Sequence, residues 1–397
     1  MRRNPYPGLK PFDTKDSSFF FGRERHVMEL LDRLYQHHFL AVIGVSGSGK
    51  SSLVRAGLLP SLRKGFISDA GYRWRTIVLR PGPHPMESLW GSLVRSVIPR
   101  SLDSNKVQSL KEQFDLNSRS LIEIGKEFLG TGQRAEYDEN LLVVVDQFEE
   151  VFTLVGSRDE SVGEDGDQFE PARAFVDRLM KASQQSEVPI YVVITMRSDY
   201  LGDCARFRDF PELLNGTQYL IPRMTVSELV DAIVRPAKLG SPAGDVERQL
   251  VNRLLNDFND EPRNLPRLQH ALAQTWEEWM YRTAGDNGDQ KSAPPSAIAQ
   301  LSAESLAELS LKDYQRAGGF DHALDKHAER LFEGLSKGRQ QDIAELIFKR
   351  ITAQDVSNRL VRCSAALWDI YSLVGCKTSK RFITDQPLSH GERFRGQ

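Results

Sequence analysis

Small residues crowd around one lysine near the N-terminus of the chain. The stretch GVSGSGKSS follows the apolar run HFLAVIG, which is typical of a buried parallel strand. Its spacing matches G-x-x-x-x-G-K-[ST] at Gly44, Gly49, Lys50 and Ser51, and a helical pattern follows at once. Glycines here let successive backbone N–H groups point inward, and the N-terminus of the next helix adds positive potential. The stretch therefore predicts a site for a nucleoside triphosphate.

The side chains of this loop have predicted roles that follow from their chemistry. The Lys50 ammonium would reach the β- and γ-phosphates, and the Ser51 hydroxyl would be a ligand of Mg²⁺. A glycine-rich turn that carries a lysine by chance is the alternative, and the order strand–loop–helix argues against it. We expect nucleotide contacts from the whole loop, namely from Gly44, Ser46, Gly47, Ser48, Gly49, Lys50, Ser51 and Ser52.

A triphosphate site of this kind needs a carboxylate on a second strand, and the stretch ENLLVVVDQFEEVF supplies one. Asp146 follows the aliphatic run 141–145, at the carboxyl edge of a strand, where such sites lie. It would hold the Mg²⁺ shell; the alternative is that it caps the next helix. Glu149 and Glu150 follow on the next turn, and either would be close enough to act as the general base toward water. The sequence does not choose between them.

A third strand is predicted in VPIYVVITMRSDYLGDC, and Arg197 lies just past its end. An arginine at this place would neutralise charge at the γ-phosphate or report whether that phosphate is present. The alternative is a surface ion pair between Arg197 and Asp199. Two further strand candidates lie within 73–82 and 216–224. Strands that alternate with longer helical stretches indicate a parallel α/β sheet.

Composition limits the class of protein. The 397 residues are enough for two or three domains. A formal net charge of −2 gives no bulk attraction to nucleic acid or to a membrane surface. No apolar run approaches the roughly 20 residues that span a bilayer, and the first residues lack a signal-peptide pattern. Three scattered cysteines fit a reducing compartment and exclude a disulfide scaffold. We expect a cytoplasmic protein with neither a membrane nor a nucleic-acid partner.

Six separated motifs, taken in order, resemble the novel STAND NTPases of bacteria, which are relatives of the NACHT and apoptotic-ATPase switches. The resemblance covers the chain from Asn4 to about Val361, and its motifs are NPYPGLKPF…FFFGRERHVMELL, the phosphate loop, VVVDQFEEVF, TMRSDYL, ELVDAIVRPAKLG and NLPRLQHALAQTWEEW. The resemblance implies a signalling switch that binds ATP or ADP with Mg²⁺ and hydrolyses ATP slowly. It also implies homo-oligomerisation on ATP binding, a separate sensor or effector protein as partner, and a role in bacterial antiviral defence.

The same resemblance assigns residues on the adenine side of the site. The segment FGRE would lie near the adenine, through Phe21, Gly22, Arg23 and Glu24. A proline of the family's lid motif Gly-x-Pro lies against the base, and here that proline is Pro266. Asn264 takes the glycine position, which asparagine tolerates better than most residues because it adopts a left-handed backbone more readily. The alternative for Pro266 is that it only begins a helix.

We expect an α/β fold, in which a P-loop NTPase parallel sheet carries helices on both faces. The predicted domains are the NTPase domain, a helical lid, a flexible linker, a winged-helix-like α domain and a short polar tail, at 1–222, 223–282, 283–297, 298–361 and 362–397. The helix predicted at 321–335 mixes acids and bases evenly, which favours a packing module over a DNA-binding one.

Neither an effector domain nor a repeat-containing sensor is evident in the sequence. The chain would then be a truncated fragment, a protein whose sensor is a separate chain, or a regulator that co-assembles with others. Two functions compete with the switch. One is a nucleotide-gated scaffold that binds ATP without hydrolysing it, and the other is a nucleic-acid-dependent ATPase.

Overall fold

The computed structural model describes residues 3–65, 73–129, 139–153, 170–241, 245–260, 265–283, 308–336, 338–354 and 360–362. The chain divides into two compact units, Met1–Ala323 and Leu324–Gln397. Asn264, most of the predicted linker and nearly all of the predicted tail lie outside the described residues, so these predictions stay predictions. The domain boundaries expected from the sequence also stay predictions.

A five-stranded parallel sheet forms the centre of the first unit. In chain order its strands are β1 Phe39–Gly44, β2 Trp74–Leu79, β3 Asn140–Val145, β4 Ile190–Arg197 and β5 Gln218–Leu220. Their order across the sheet is β2-β3-β4-β1-β5, and every neighbouring pair is parallel. The predicted parallel α/β sheet is confirmed. Because the strands are parallel, their carboxyl ends meet at one edge of the sheet.

Helices cover both faces of this sheet. The first unit contains, up to β5, helices α1 Glu24–His37, α2 Lys50–Ser52, α3 Leu59–Arg63, α4 Pro85–Ser96, α5 Ser104–Leu116, α6 Ser120–Phe128, α7 Glu150–Thr153, α8 Glu170–Gln184 and α9 Phe210–Thr217. Every residue of β1, β3 and most of β4 is buried, and alternate side chains enter two different apolar cores. This is why these strands read as continuous apolar runs in the sequence.

The face that carries the phosphate loop packs against α1. Val27, Leu30, Leu31 and Leu34 recur at helical spacing along α1 and are buried in one core with Leu40 and Val42 of β1. Helix α1 ends at His38, whose left-handed backbone turns the chain directly into β1. The helix that follows the loop packs in the same core, so α1 and the loop helix are held to one side of β1.

A second group of helices has a core of its own in the first unit; we call this group the lid, and it extends beyond the range 223–282 predicted for the lid. It consists of α10 Val226–Gly240, α11 Arg248–Asp260, α12 Leu265–Thr283 and α13 Leu311–Ala317. Thr225 begins α10 with a capping box, in which its hydroxyl and the Glu228 carboxylate each accept a backbone N–H of the other residue. Trp276 and Trp279 are the largest side chains of the core, and Tyr314 of α13 packs in it too.

The second unit contains the C-terminal part of α14 Gly319–Glu333, then α15 Arg339–Arg350 and an antiparallel pair of strands, β6 Thr352–Gln354 and β7 Leu360–Arg362. The winged-helix-like domain expected at 298–361 stays a prediction. Among the helices that the structure describes, none is long and apolar enough to cross a bilayer.

A buried carboxylate fastens α12 to α13. Asp313 accepts hydrogen bonds from Nε and Nη2 of Arg282, both at 2.8 Å, and from the hydroxyl and backbone N–H of Ser310. Burial alone would raise the pKa of Asp313, but the hydrogen bonds from Arg282 and Ser310 outweigh it and hold the pKa below its usual value. The folded state therefore stabilises the charged form.

We expect Asp313→Asn to lower the free energy of unfolding by about 2 kcal/mol at neutral pH, because Arg282 loses a bidentate carboxylate. Since the folded pKa of Asp313 is depressed, its contribution is present above the unfolded pKa of about 4 and is lost as the pH falls through the folded pKa. Urea unfolding at neutral pH and near pH 3 measures both effects. The exposed Asp209→Asn is the control, with an expected change under about 0.5 kcal/mol. Equal losses in both variants would contradict the ion pair's role.

Candidate nucleotide-binding site

A cavity of 540 Å³ lies at the carboxyl edge of the parallel sheet. Five parts of the first unit, among the residues that the structure describes, line it: the N-terminal segment 4–14, the segment 19–23, the glycine-rich loop, the ends of β2, β3 and β4, and the lid. The lining residues are Gly8, Leu9, Lys10, Pro11, Phe12, Phe19, Phe20, Phe21, Arg23, Ser46, Gly47, Ser48, Gly49, Lys50, Ser51, Ser52, Arg80, Gln147, Glu149, Glu150, Thr195, Arg197, Met224, Ala232, Leu265, Pro266, Leu268 and Gln269.

The loop between β1 and α2 has the backbone that its glycines were expected to permit. Gly47 and Gly49 have φ of +75° and +89°, values that residues with a Cβ atom rarely adopt. Gly44 lies behind the loop, where an added Cβ would come within 2.8 Å of Ser48 Oγ. Lys50 Nζ donates to the carbonyl oxygens of Gly44 and Val45, both at 2.9 Å. Burial lowers the pKa of Lys50, and the nearby Glu149 opposes that effect.

Asp146 is the most heavily contacted carboxylate of the site. It is 1 % exposed, and three side chains from different elements donate to it. Ser51 Oγ and Thr195 Oγ1 reach Oδ1 at 2.6 and 2.7 Å, and Arg55 Nη2 reaches Oδ2 at 2.9 Å. The loop hydroxyl and the carboxylate that were predicted to share a Mg²⁺ ion are thus in direct contact.

Arg55 is a residue of the site that the sequence patterns did not indicate. It lies in a π-helical segment, Leu53–Leu58, between α2 and α3, which together form the helix after the loop. Such widened turns are often found at functional sites because they change which side chains face the partner element. The signal that could have identified Arg55 is its charge, one turn beyond Ser51 in an otherwise apolar helix.

The oxygen atoms around Asp146 suit a hard divalent cation. Mg²⁺ prefers carboxylate, hydroxyl and phosphate oxygens, and it is usually held by one or two carboxylates together with the substrate's phosphates. Within the described ranges, no cluster of three or more His, Cys, Asp or Glu residues is arranged to hold a metal ion. The Ser51 hydroxyl and the Asp146 carboxylate are oxygen donors of the kind that Mg²⁺ prefers, so they would hold Mg²⁺ together with a bound nucleotide.

The two consecutive glutamates point to different neighbours. Glu149 Oε2 accepts the backbone N–H of Arg197 at 3.3 Å, and Glu150 Oε2 accepts the backbone N–H of Gly82 at 3.0 Å. Burial raises the pKa of Glu149 above its usual value, although hydrogen bonds and the charges of Lys50 and Arg197 act against the rise. Glu149 is therefore a more basic carboxylate than an exposed glutamate would be.

Arg197 lies at the end of β4 and lines the cavity. Its guanidinium is partly exposed and forms an ion pair with Asp199. Both of the interpretations drawn from the sequence are therefore compatible with its position. The register of β1 and β4 places Arg197 opposite Gly44, so the residue is level with the start of the glycine-rich loop.

The FGRE segment joins the sheet to the lid. Phe21 and Arg23 line the cavity, and the buried Arg23 donates to the carbonyl oxygen of Pro222 at 3.0 Å. Gly22 and Glu24 face the lid instead. Glu24 pairs with Arg235 of α10 at 2.9 Å, and the Arg235 guanidinium lies 4.0 Å from the centre of the Phe21 ring.

Pro266 is the second residue of α12 and also lines the cavity. The two alternatives drawn from the sequence, a helix start and a contact with the base, are therefore compatible with one another. Leu265 lies beside it, within 3.6 Å of the position that a Cβ on Gly49 would occupy. The first turn of α12 is thus adjacent to the phosphate loop.

The N-terminal segment 4–14 is a part of the site that sequence reasoning did not assign. Phe12 N donates to Ser52 Oγ at 3.2 Å, which ties the segment to the loop helix. Asn4 Nδ2 donates to the carbonyl oxygen of Ala273 at 3.1 Å, and the Tyr6 hydroxyl donates to that of Ile233, which ties it to the lid. The segment therefore runs across the cavity from lid to loop. Its only sequence signal is the spacing of Pro and Gly in NPYPGLKPF.

Comparison with known proteins identifies a family whose model matches this chain. A family model described as Novel STAND NTPase 1 matches residues 5–381. A comparison with curated proteins gave no match.

Among solved structures, the chain is similar to the Aeropyrum pernix ORC1 protein in complex with DNA, with 13% identity, a TM-score of 0.46 and coverage of 90% of this chain and 77% of that one. It is similar to the ADP form of the Aeropyrum pernix ORC2 protein, with 12% identity, a TM-score of 0.42 and coverage of 89% and 91%. It is also similar to Cdc6p from Pyrobaculum aerophilum, with 13% identity, a TM-score of 0.38 and coverage of 89% and 94%.

We expect Gly22→Ala to destabilise the protein by about 2 kcal/mol or more. Gly22 has φ of +82°, and an added Cβ would lie 2.2 Å from the carbonyl oxygen of Glu228 in α10, so the backbone or the lid has to move. Gly91→Ala is the matched control, since its Cβ meets only the end of the Arg95 side chain and alanine favours a helix. Urea unfolding of both variants measures the difference. Equal stability would contradict the close approach of Gly22 to the lid.

Proposed function

The chain belongs to the novel STAND NTPase 1 family, and from this premise we propose that it is a Mg²⁺-dependent ATPase whose nucleotide state controls the contact between its sheet and its lid. One observation carries the proposal. The phosphate loop, Glu149 and Glu150 after β3, Arg197 at the end of β4 and the first turn of α12 all line one cavity. A ligand in that cavity would touch both the sheet and the lid.

Binding of the triphosphate would use the loop and Lys50. The Nζ atom of Lys50 would exchange the carbonyl oxygens of Gly44 and Val45 for β- and γ-phosphate oxygens, which are stronger acceptors because they are charged. Backbone N–H groups of the loop and the start of α2 would surround the phosphates. Ser51 and Asp146 would hold Mg²⁺, which supplies charge neutralisation at the β- and γ-phosphates when bound.

Hydrolysis would use Glu149 as the general base. The water oxygen forms a bond to the γ-phosphorus, the bond from that phosphorus to the β–γ bridging oxygen breaks, and the electron pair leaves with ADP. The proton of the water passes to Glu149, whose pKa is raised by burial toward the range that suits a general base. Arg197 would stabilise the charge that moves onto the phosphate oxygens.

The base of the nucleotide would lie between the FGRE segment and the lid. Phe21 and Arg23 of the FGRE segment and Pro266 of the lid all line the cavity. Contacts between α1 and the lid surround this place: Glu24 pairs with Arg235, and the buried His26 has Nε2 3.3 Å from Glu228 Oε1. A base bound here would add to the contacts that hold the lid to the sheet.

The switch that we propose follows from this arrangement. ADP would hold the lid and the sheet closed, and exchange for ATP would open them and expose a surface for homo-oligomerisation. A ligand shifts a conformational equilibrium only through its different affinities for the two states, so the lid contacts have to differ between ADP and ATP. We include in the same proposal a role in signal transduction through a separate sensor or effector protein, slow turnover, a cytoplasmic location and bacterial antiviral defence.

We expect Glu149→Gln to lower ATP turnover by about 10²-fold or more while ATP binding persists, because the amide keeps the shape and loses the base. Glu150→Gln should leave turnover within about threefold of the wild type, since its amide oxygen can still accept the N–H of Gly82. Phosphate release at saturating ATP measures both, and Lys50→Ala is the control that loses binding. Full activity of Glu149→Gln would remove Glu149 as the base. A wild type that binds ATP and never releases phosphate would favour the scaffold.

We expect Pro266→Ala to weaken ADP binding about fivefold, which corresponds to about 1 kcal/mol of lost coupling between nucleotide and lid. Alanine continues a helix well, so α12 should persist. Limited proteolysis of the predicted linker, 283–297, with ADP, with ATP and without nucleotide, measures the coupling directly. Wild type should be protected by ADP more than the variant is. Identical cleavage rates in all six samples would contradict the switch.

A further inference from the structure

Arg80 is a cation of the cavity to which the proposed chemistry assigns no role. Among the residues that the structure describes, five cationic side chains line the cavity: Lys10, Arg23, Lys50, Arg80 and Arg197. Three of these are engaged with protein groups: Arg23 with a carbonyl oxygen, Lys50 with two, and Arg197 with a carboxylate. Arg80 is exposed and has no hydrogen-bonded or ion-paired partner among the residues that the structure describes.

Arg80 lies at the same edge of the sheet as Asp146. It directly follows β2, whose last residue, Leu79, is in register with Val145 of β3. The backbone N–H of Asp146 donates to the carbonyl oxygen of Leu79 at 2.8 Å. Arg197 is the last residue of β4, the other neighbour of β3, and it lies three residues beyond Ile194, the register partner of Val145. Two arginines near strand ends therefore lie on either side of the strand that Asp146 follows.

The loop that carries Arg80 is held from two sides. Gly82 adopts φ of +59°, and its N–H donates to Glu150 Oε2 at 3.0 Å. The hydroxyl of Ser88 in α4 donates to the carbonyl oxygen of Pro81 at 3.0 Å. Glu149 holds the backbone N–H of Arg197 in a similar way. Each of the two consecutive glutamates thus fixes the backbone of one strand end that carries an arginine.

We propose that Arg80 contacts the γ-phosphate of bound ATP and makes the site distinguish ATP from ADP, and that Glu150 is a positioning residue that holds the loop of Arg80 in place. The inference rests on the proposed function, because it needs a triphosphate in the cavity. A guanidinium binds phosphate oxygens with two parallel hydrogen bonds, and Arg80 has no ion pair to break before it does so. ADP lacks the phosphate in question, so Arg80 would add affinity for ATP alone.

The first test measures binding and needs no turnover. Calorimetry with Mg²⁺ compares ADP with an ATP analogue whose β–γ bridge is an imido group. Arg80→Ala should lower affinity for the analogue about tenfold, as expected for a hydrogen bond between charged groups, and should change ADP affinity less than about twofold. Arg80→Lys should fall between the variant and the wild type. Arg100→Ala is the control, an exposed arginine outside the cavity, and should change neither affinity.

The second test concerns Glu150. Glu150→Ala should reproduce the roughly tenfold loss for the analogue, whereas Glu150→Gln should keep wild-type affinity because its amide oxygen accepts the N–H of Gly82. The double variant Arg80→Ala/Glu150→Ala should lose no more than Arg80→Ala alone, since both changes remove one contact. Losses that multiply to about a hundredfold would show independent roles and overturn the positioning role of Glu150.

The outcomes separate this inference from the proposed function. If the wild type binds both nucleotides and hydrolyses ATP, but Arg80→Ala leaves the ratio of the two affinities unchanged, only the role of Arg80 is overturned. If the wild type binds both nucleotides without hydrolysis, the ATPase proposal fails while the ratio still decides the role of Arg80. If the wild type binds neither nucleotide, both are overturned. The thermal midpoint of each variant identifies any loss that comes from misfolding.

Discussion

The buried carboxylate of Asp146 is the interaction on which the site depends. Asp146 is 1 % exposed, and burial of a carboxylate costs free energy unless the charge is neutralised and hydrogen-bonded. Here three side chains donate to it. Ser51 comes from the start of the loop helix, Arg55 from its π-helical turn and Thr195 from β4. Because one carboxylate binds all three, the loop helix and strands β3 and β4 have to keep a single relative position. The π-helical turn is part of that solution, since it lies where Arg55 reaches the carboxylate.

The lid is attached to this arrangement at the edges of the cavity. The N-terminal segment contacts the loop helix through Ser52 and the lid through Ala273 and Ile233. The FGRE segment contacts the lid through Gly22 and Glu24. These contacts lie close to the cavity, and one of them is apolar, because Tyr6 is buried against Trp276 in the core of the lid. The sheet and the lid each have a large apolar core of their own. An element with a core of its own can move as a body without loss of that packing.

The two consecutive glutamates after β3 contact the ends of different strands. Glu149 faces the end of β4 and Glu150 faces the end of β2, so two adjacent residues that look equivalent in the sequence contact different loops. In our proposals this separates a base from a positioning residue. Arg80 and Arg197 lie near the carboxyl ends of the two strands that neighbour β3.

The sequence by itself determined the parts of the protein that depend on neighbouring residues. Gly44, Lys50 and Ser51 identify the phosphate loop because its backbone geometry is set by spacing within eight residues, and the apolar runs before Gly44 and Asp146 identify strands buried on both faces. The family and the parallel sheet follow from motifs of this kind. Only the tertiary structure decided which distant side chains meet: Arg55 with Asp146, Glu150 with Gly82, the N-terminal segment with loop and lid. Such contacts depend on strand order, register and helix rotation, and a one-dimensional pattern does not contain them.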